Sequence, residues 1–257
     1  MGNIFTTIFY QPILNLVVFI YNYLPGHDIG WTIIILTLVV KLILYPLSKK
    51  SIQGQKALQT LQPKLDEIKQ KYADDKEGMS RAMMNLYKEE KVNPLSSCLP
   101  LLIQLPFFWA IFRVFRDELT GKALVLIYSF IHNPGAINPW AFGFLDFSKP
   151  NIVLAILAGV SQYFQAKMMP MRPPAVKTEG AKDENMMAIM NKQMLYFMPA
   201  LTIFICLTLP SGLAFYWFIS TLLTIVQQWW IFKKQGQSPN KQITNSSGSV
   251  VEGEIIK

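Results

Sequence analysis

Long apolar runs alternate with polar, charged ones along the whole chain. Five runs are nearly free of charge: 29–48, 94–116, 151–168, 193–209 and 210–232. About 20 apolar residues in a helix cross the roughly 30 Å hydrocarbon layer of a bilayer. The pattern therefore predicts an all-α, polytopic membrane protein with five transmembrane helices. Pro210-Ser211-Gly212 separates the last two runs and predicts a tight turn there. Prolines 100, 106 and 199 fall inside runs, which packed membrane helices tolerate when neighbours re-satisfy the backbone.

Segment 1–28 is uncharged until its end. Thr7, Gln11, Asn15, Val18 and Asn22 recur at spacings of four, four, three and four, a mostly polar stripe on one helix face. A helix with such a stripe can lie in the interfacial plane instead of crossing. An N-terminal interfacial helix on the outer surface is expected, with the Pro-Gly-His-Asp corner at 25–28 turning the chain into the first span. The first residues carry neither a basic region nor a small-residue cleavage site, so no signal peptide is expected.

Segment 49–93 has a different period. Leu58, Leu61, Leu65, Ile68 and Tyr72 repeat at three and four, and Met79, Met83 and Leu86 continue after a break at 74–78. Two amphipathic helices forming an antiparallel cytoplasmic hairpin are predicted, with Pro63 bending or delaying the first. Such a thin seam serves a solvated connector or a docking arm equally well.

Composition agrees with this class: 51% of residues are hydrophobic, and the formal net charge is +8. Of the 24 lysines and arginines, 49–93 holds ten, 167–192 five and 233–257 four, while 1–28 holds none and 117–150 two. Basic and non-basic connections alternate as five spans require, which places the N-terminus outside and the C-terminus in the cytoplasm. The outer loop is then 117–150, the cytoplasmic loop 169–192, and the polar tail 233–257 reads as disordered. The positive charge is a topology signal, because no aromatic-interleaved basic patch suggests a nucleic-acid partner. Cys98 and Cys206 lie in separate apolar runs and suit packing, with no metal or CxxC spacing.

One charge breaks the first run. Lys41 is its thirteenth residue, where an ammonium on an isolated helix costs about 2.5–3.5 kcal/mol. Its stem can snorkel toward the cytoplasmic headgroups, or the ammonium can face a wet cavity between helices. Gln104, Ser161, Gln162, Gln165, Trp217, Ser220, Thr221, Thr224, Gln227 and Gln228 bear on that choice. Ser220, Thr224 and Gln227 share one face of the last run. In hydrocarbon these groups need partners or water. Interhelical hydrogen bonds would explain each singly; together with Lys41 they fit a polar chamber open to the cytoplasm and closed outside.

Several chemistries are excluded. The runs contain no carboxylate for a proton relay, and no phosphate-cradling glycine pattern appears. His27 and His132 both lie in outer segments and form no catalytic set. No internal repeat points to an inverted-repeat transporter. No cofactor, metal or enzymatic step is expected.

The string NPLSSCLPLLIQLPFFWAIFRVF (93–115) resembles the second core span of the YidC family of membrane protein insertases. WTIIILTLVVKLILYPLSKKS (31–51) resembles its first core span, with a single buried base and a trailing Tyr-Pro-Leu. LPSGLAFYWFISTLLTIVQQW (209–229) resembles its last. The resemblance covers residues 4 to about 232 in order. It implies a five-helix core, an outer amphipathic helix, a recruiting cytoplasmic hairpin and a positively charged hydrophilic groove open to cytoplasm and lipid. The large outer domain of some members has no expected counterpart.

By matching position, Lys41 takes the place of the groove's base, Gln165 or Gln162 that of its polar residue on the third span, and Trp217 that of its last-span aromatic. Gln104, Ser220 and Thr224 complete the expected groove. Arginine is commoner at position 41, and lysine keeps the charge but loses the planar donor fork. The resemblance implies nascent membrane proteins as substrates, inserted and helped to fold at a bacterial plasma (inner) membrane. Membrane lipids, the Sec channel and, through so short a tail only weakly, the ribosome are expected partners. A small-solute transporter would need a pathway to both sides, against the one-sided clustering of polar groups. A purely structural membrane protein would leave Lys41 a snorkelling anchor.

Overall fold

The computed structural model describes residues 2–97, 99–118, 126–168 and 193–236. The expected cytoplasmic loop 169–192, most of the expected tail and Cys98 lie outside the described residues.

Helix α1 (Gly2–Phe5) passes through a π-helical turn (Thr6–Tyr10) into α2 (Gln11–Tyr23). A corner with Gly26 at φ 77° and His27 at φ 49° then leads into α3 (Ile29–Ile43). Asp28 caps α3, its Oδ1 accepting from the amides of Gly30 (2.7 Å) and Trp31 (3.1 Å). Helix α3 stops five residues short of the expected end of the first span, and after Leu44 the chain bends by 69° into α4 (Tyr45–Thr60). Pro46 accounts for the break, since it has no N–H to donate to the Leu42 carbonyl and its ring crowds that turn, while it is tolerated in the first turn of α4.

Two further helices, α5 (Gln62–Lys71) and α6 (Lys76–Glu89), pack against each other as a helical pair. Pro63 sits in the first turn of α5, where its missing N–H costs nothing. Leu61, Leu65 and Leu86 are buried in a seam flanked by Ile68, Met83, Tyr87 and Val92. Burial there pushes the Tyr87 phenol up. A hydrogen bond and ion pair from Glu90 raises the Lys64 ammonium above its ordinary value at the exposed rim. The arm has its own small core, separate from that of the bundle.

The bundle is completed by α7 (Leu99–Glu118), α8 (Ile152–Lys167), α9 (Met198–Thr208) and α10 (Ser211–Gly236). Helix α8 packs most extensively against α9 and α10, and α10 also lies on α3. Gly159 lets α8 approach α9, because a Cβ there would strike Ile203 and the Pro199 carbonyl. At 20 residues α7 is about 30 Å long, and α10 at 26 residues is about 39 Å. Among the described residues no single helix is long and apolar enough to cross a membrane. The bent pair α3–α4 passes that test together. Pro106 lies inside α7, and α10 runs to Gly236, past the expected end of the last span.

Segment 126–149 covers one end of the bundle, here called the cap end; the opposite end carries the arm. The polar stripe of α2 faces this cap, not water. Gln11 and Asn15 donate to the Leu126 carbonyl, Asn15 Oδ1 accepts from the Tyr128 amide at 2.7 Å, and Asn22 donates to the His132 carbonyl at 2.6 Å. The other face of α2, with Ile13, Leu14, Val17 and Tyr21, enters the main core. Among the described residues a two-stranded antiparallel hairpin, β1 (Trp140–Ala141) and β2 (Leu145–Asp146), is the one piece of sheet beside the helices. Ser211 ties the cap to α10, its hydroxyl donating to the Asp146 carbonyl and its amide to that of Lys149. Asp28 Oδ2 ties it to α3 by accepting from the Phe142 amide.

Replacing Asp28 with alanine removes a helix cap, about 1 kcal/mol, and leaves a partly buried amide unsatisfied, about 1–3 kcal/mol. The expected outcome is a Tm at least about 4 °C lower in detergent, with Asp28→Asn falling between the two because it keeps the cap oxygen. A thermal unfolding curve for each variant checks it.

Candidate functional site

Lys41 sits in the last turn of α3. Thirteen residues beyond Asp28 at 1.5 Å each place it about 20 Å down the helix from the cap end. Its neighbours Leu42 and Ile43 are exposed, while Val40 and Leu36 are buried, so Lys41 lies on the border between core and outer surface. It is half-buried. Its Nζ donates to Thr224 Oγ1 at 2.8 Å, and Thr224 Oγ1 donates in turn to the Ser220 carbonyl at 2.8 Å. Among the described residues no carboxylate pairs with Lys41. One of its three N–H donors is held, and among the described residues the positive charge has no counter-charge.

The spacing on α10 makes this possible. Tyr216, Ser220 and Thr224 recur every four residues and so share a face. Gln104 of α7 donates to the Tyr216 hydroxyl at 2.5 Å, and Ser220 shares a further hydrogen bond with that hydroxyl. The Tyr216 side chain is buried. Thus α3, α7 and α10 meet through a series of hydrogen bonds that runs from Lys41 through Thr224, the Ser220 carbonyl and side chain, and Tyr216 to Gln104. Two of these bonds, Lys41 to Thr224 and Gln104 to Tyr216, cross between helices, and each polar group in the series has a partner, as burial in an apolar setting demands.

Of the residues singled out in the sequence, Lys41, Gln104, Ser220 and Thr224 converge here. Trp217 packs edge-on against Phe108, with ring centroids 5.0 Å apart, and belongs to the apolar side of the same region. Gln162 and Gln165 stand on α8 and join no hydrogen bond to this chain of groups. The two differ: Gln162 Oε1 is buried without a partner among the described residues, whereas the Gln165 side chain is half-buried. Ser161 turns back to the Ala158 carbonyl, and Gln228 is buried with its Oε1 likewise unpartnered. Tyr216 was not anticipated; its position four residues before Ser220 was the available signal. Arg113 was also missed. Its guanidinium lies over the Tyr10 ring at 4.4 Å and contacts the Thr6 hydroxyl, joining α7 to the N-terminal helix.

A sequence model of the family described as "60Kd inner membrane protein" matches residues 19–238. The chain belongs to that family, the one that includes the YidC insertases. The membrane protein insertase YidC of Campylobacter jejuni is 32% identical over 238 residues, 92% of this chain and 40% of that protein. Its namesake in Geotalea daltonii is 37% identical over 223 residues, 87% of this chain and 37% of that protein. The one in Ectopseudomonas mendocina is 34% identical over 226 residues. The chain therefore spans about two fifths or less of the length of these relatives.

Thr224→Val keeps the side-chain shape and removes the oxygen that Lys41 holds. Losing that bond costs about 1–3 kcal/mol, and the expected drop in Tm is a few degrees in detergent. Thr224→Ser restores most of it. Thermal denaturation of the two variants beside the parent decides this, and equal values would show that Lys41 is held by something else.

Proposed function

We propose that this chain is a membrane protein insertase at a bacterial inner membrane. Its cap end faces outside and its arm end faces the cytoplasm. The observation that carries this reading is Lys41: a half-buried ammonium, tethered by a threonine, with no counter-charge among the described residues. The family membership supports it, because relatives over most of this chain's length are named membrane protein insertases.

The bundle spans the membrane in five passes: α3 with the start of α4, α7, α8, α9 and α10. The length of α7 matches the hydrocarbon thickness. The polar chain from Lys41 to Gln104 lines a hydrophilic groove that opens toward the arm end and toward lipid, and the cap closes the other end. Gln162, with its spare buried acceptor, and Gln165 line the α8 side of the groove, and Trp217 its apolar wall.

The mechanism is one of lowered electrostatic cost. A polar segment of a nascent membrane protein must cross a dry layer, and a wet groove shortens that layer. The free donors of Lys41 attract acidic or carbonyl groups of the segment. Two unit charges 4 Å apart at an effective dielectric of about 20 attract by about 4 kcal/mol. A membrane potential positive outside pulls acidic groups onward. The apolar helix of the substrate slides along the exposed face of α8, where Ile152, Val153, Ile156, Val160 and Phe164 are uncovered. No bond is made or broken, so the chain has a chaperone's role and needs no cofactor. The arm recruits substrates or partners on the cytoplasmic side, among them the Sec channel and, weakly, the ribosome.

Reconstituted protein and a single-span substrate with acidic residues in its outer segment provide the test, scored by protease-protected insertion. A charge-assisted hydrogen bond is worth about 1.5–3 kcal/mol, so Lys41→Ala should slow insertion by roughly tenfold to a hundredfold. Lys41→Arg should keep most of the rate. Undiminished insertion by the alanine variant would rule out the charge as the working group.

A further inference from the structure

The cap hairpin has an exposed apolar tip and a charged base. Between its two-residue strands, Phe142, Gly143 and Phe144 form a three-residue turn closed by the Phe144 amide on the Ala141 carbonyl. Phe142 is held at φ 55°, a conformation that a bulky residue rarely adopts, and Gly143 follows at φ 79°. This turn presents Phe144, 74% exposed, flanked by Trp140 at 50% and Trp31 at 53%. At the base, Asp146 bonds Ser148 and pairs with the exposed Lys149 at 3.3 Å. Hydrogen bonds from Ser148, and then the Lys149 ammonium, hold the Asp146 carboxyl below its ordinary value.

The tip is continuous with an apolar surface on α3. Phe142 meets the Trp31 ring edge-on at 5.7 Å. Trp31, Leu38 and Leu42, at spacings of seven and four, lie on one exposed face of α3. Gly30 makes the contact possible, since a Cβ there would strike the Phe142 ring. A stripe of exposed apolar residues thus runs along α3 and ends in a cluster of aromatic rings at the cap. Tryptophan at the boundary between apolar and polar surface suits a bilayer interface, and an exposed apolar tip above a charged base suits shallow insertion.

We propose that the 142–144 tip, with Trp31 and Trp140, is an anchor that inserts into the headgroup–acyl boundary of the leaflet at the cap end. Its partner is the phospholipid surface itself. The Asp28 carboxylate joins the tip to the first turn of α3, through the Phe142 amide on one oxygen and the Gly30 and Trp31 amides on the other. A tip held in the headgroup layer therefore holds the start of α3 at that level, and with it the depth of Lys41. The anchor rests on the membrane-spanning reading above and adds a surface that sets the register of the groove.

Nitroxide labels in reconstituted full-length protein test it, in a Cys98→Ser, Cys206→Ala background. Phe144→Cys and Trp140→Cys report the tip, Asn133→Cys a solvent-exposed part of the cap, and Leu42→Cys the apolar stripe. Collision rates with oxygen, which partitions into lipid, and with a water-soluble nickel chelate are measured in phospholipid vesicles. Labels at 144 and 140 should collide with the chelate several-fold less often than the label at 133, and with oxygen more often. Chelate access at 144 and 140 equal to that at 133 overturns the anchor. Shielding from both reagents also overturns it, since that means the tip is covered by protein or a second copy. A label at 42 open to the chelate would instead overturn the membrane-spanning reading on which the anchor rests.

Discussion

An ammonium among apolar helices has three donors to satisfy and a charge that no apolar neighbour can balance. Much of the arrangement around Lys41 follows from that constraint. A lysine stem is long enough to reach a neighbouring helix, and α10 supplies a hydroxyl at the reachable depth. The hydroxyl is itself fixed by the Ser220 carbonyl, so the acceptor stays aimed at the lysine. A threonine hydroxyl takes up one of the three ammonium donors here and offers no counter-charge. What remains is an oriented positive group with capacity to spare, and that residual capacity is what an incoming polar segment can use in the proposed mechanism.

The two ends of the bundle treat backbone polarity in opposite ways. At the cap end, side chains of α2 and of Asp28 and Ser211 take up the amides and carbonyls of segment 126–149. The cap is thereby stitched to the starts of α3 and α10, the same two helices that carry Lys41 and Thr224. Toward the arm end, α3 breaks at Leu44 and the chain leaves the bundle through the bend into α4. In the proposed mechanism the stitched end is the closed end of the groove and the arm end its mouth.

The arm is energetically separate. Its three buried leucines make a core far smaller than that of the bundle, and the Lys64–Glu90 and Arg81–Glu77 ion pairs sit at the exposed surface, where water screens them and they add little. A unit with so small a core opens at lower cost than the bundle, a property the proposed recruiting role would use.

Period and charge in the sequence were enough to give the helical class, the apolar runs, the arm's seam and the polar face of α10, because these depend on neighbours three and four residues apart. They also singled out Lys41, since one charge in a long apolar run is conspicuous at any register. Tertiary structure alone decided the partners. That Thr224 meets Lys41 while Gln162 does not depends on how α3 and α8 are rotated against α10, and no local spacing encodes that rotation. The polar stripe of α2 shows the same limit. Its pattern suited a water-facing surface, yet Gln11, Asn15 and Asn22 turn to the backbone of a segment more than 100 residues away. A polar side chain records only that it needs a partner, and the packed chain determines whether that partner is water, lipid headgroup or backbone.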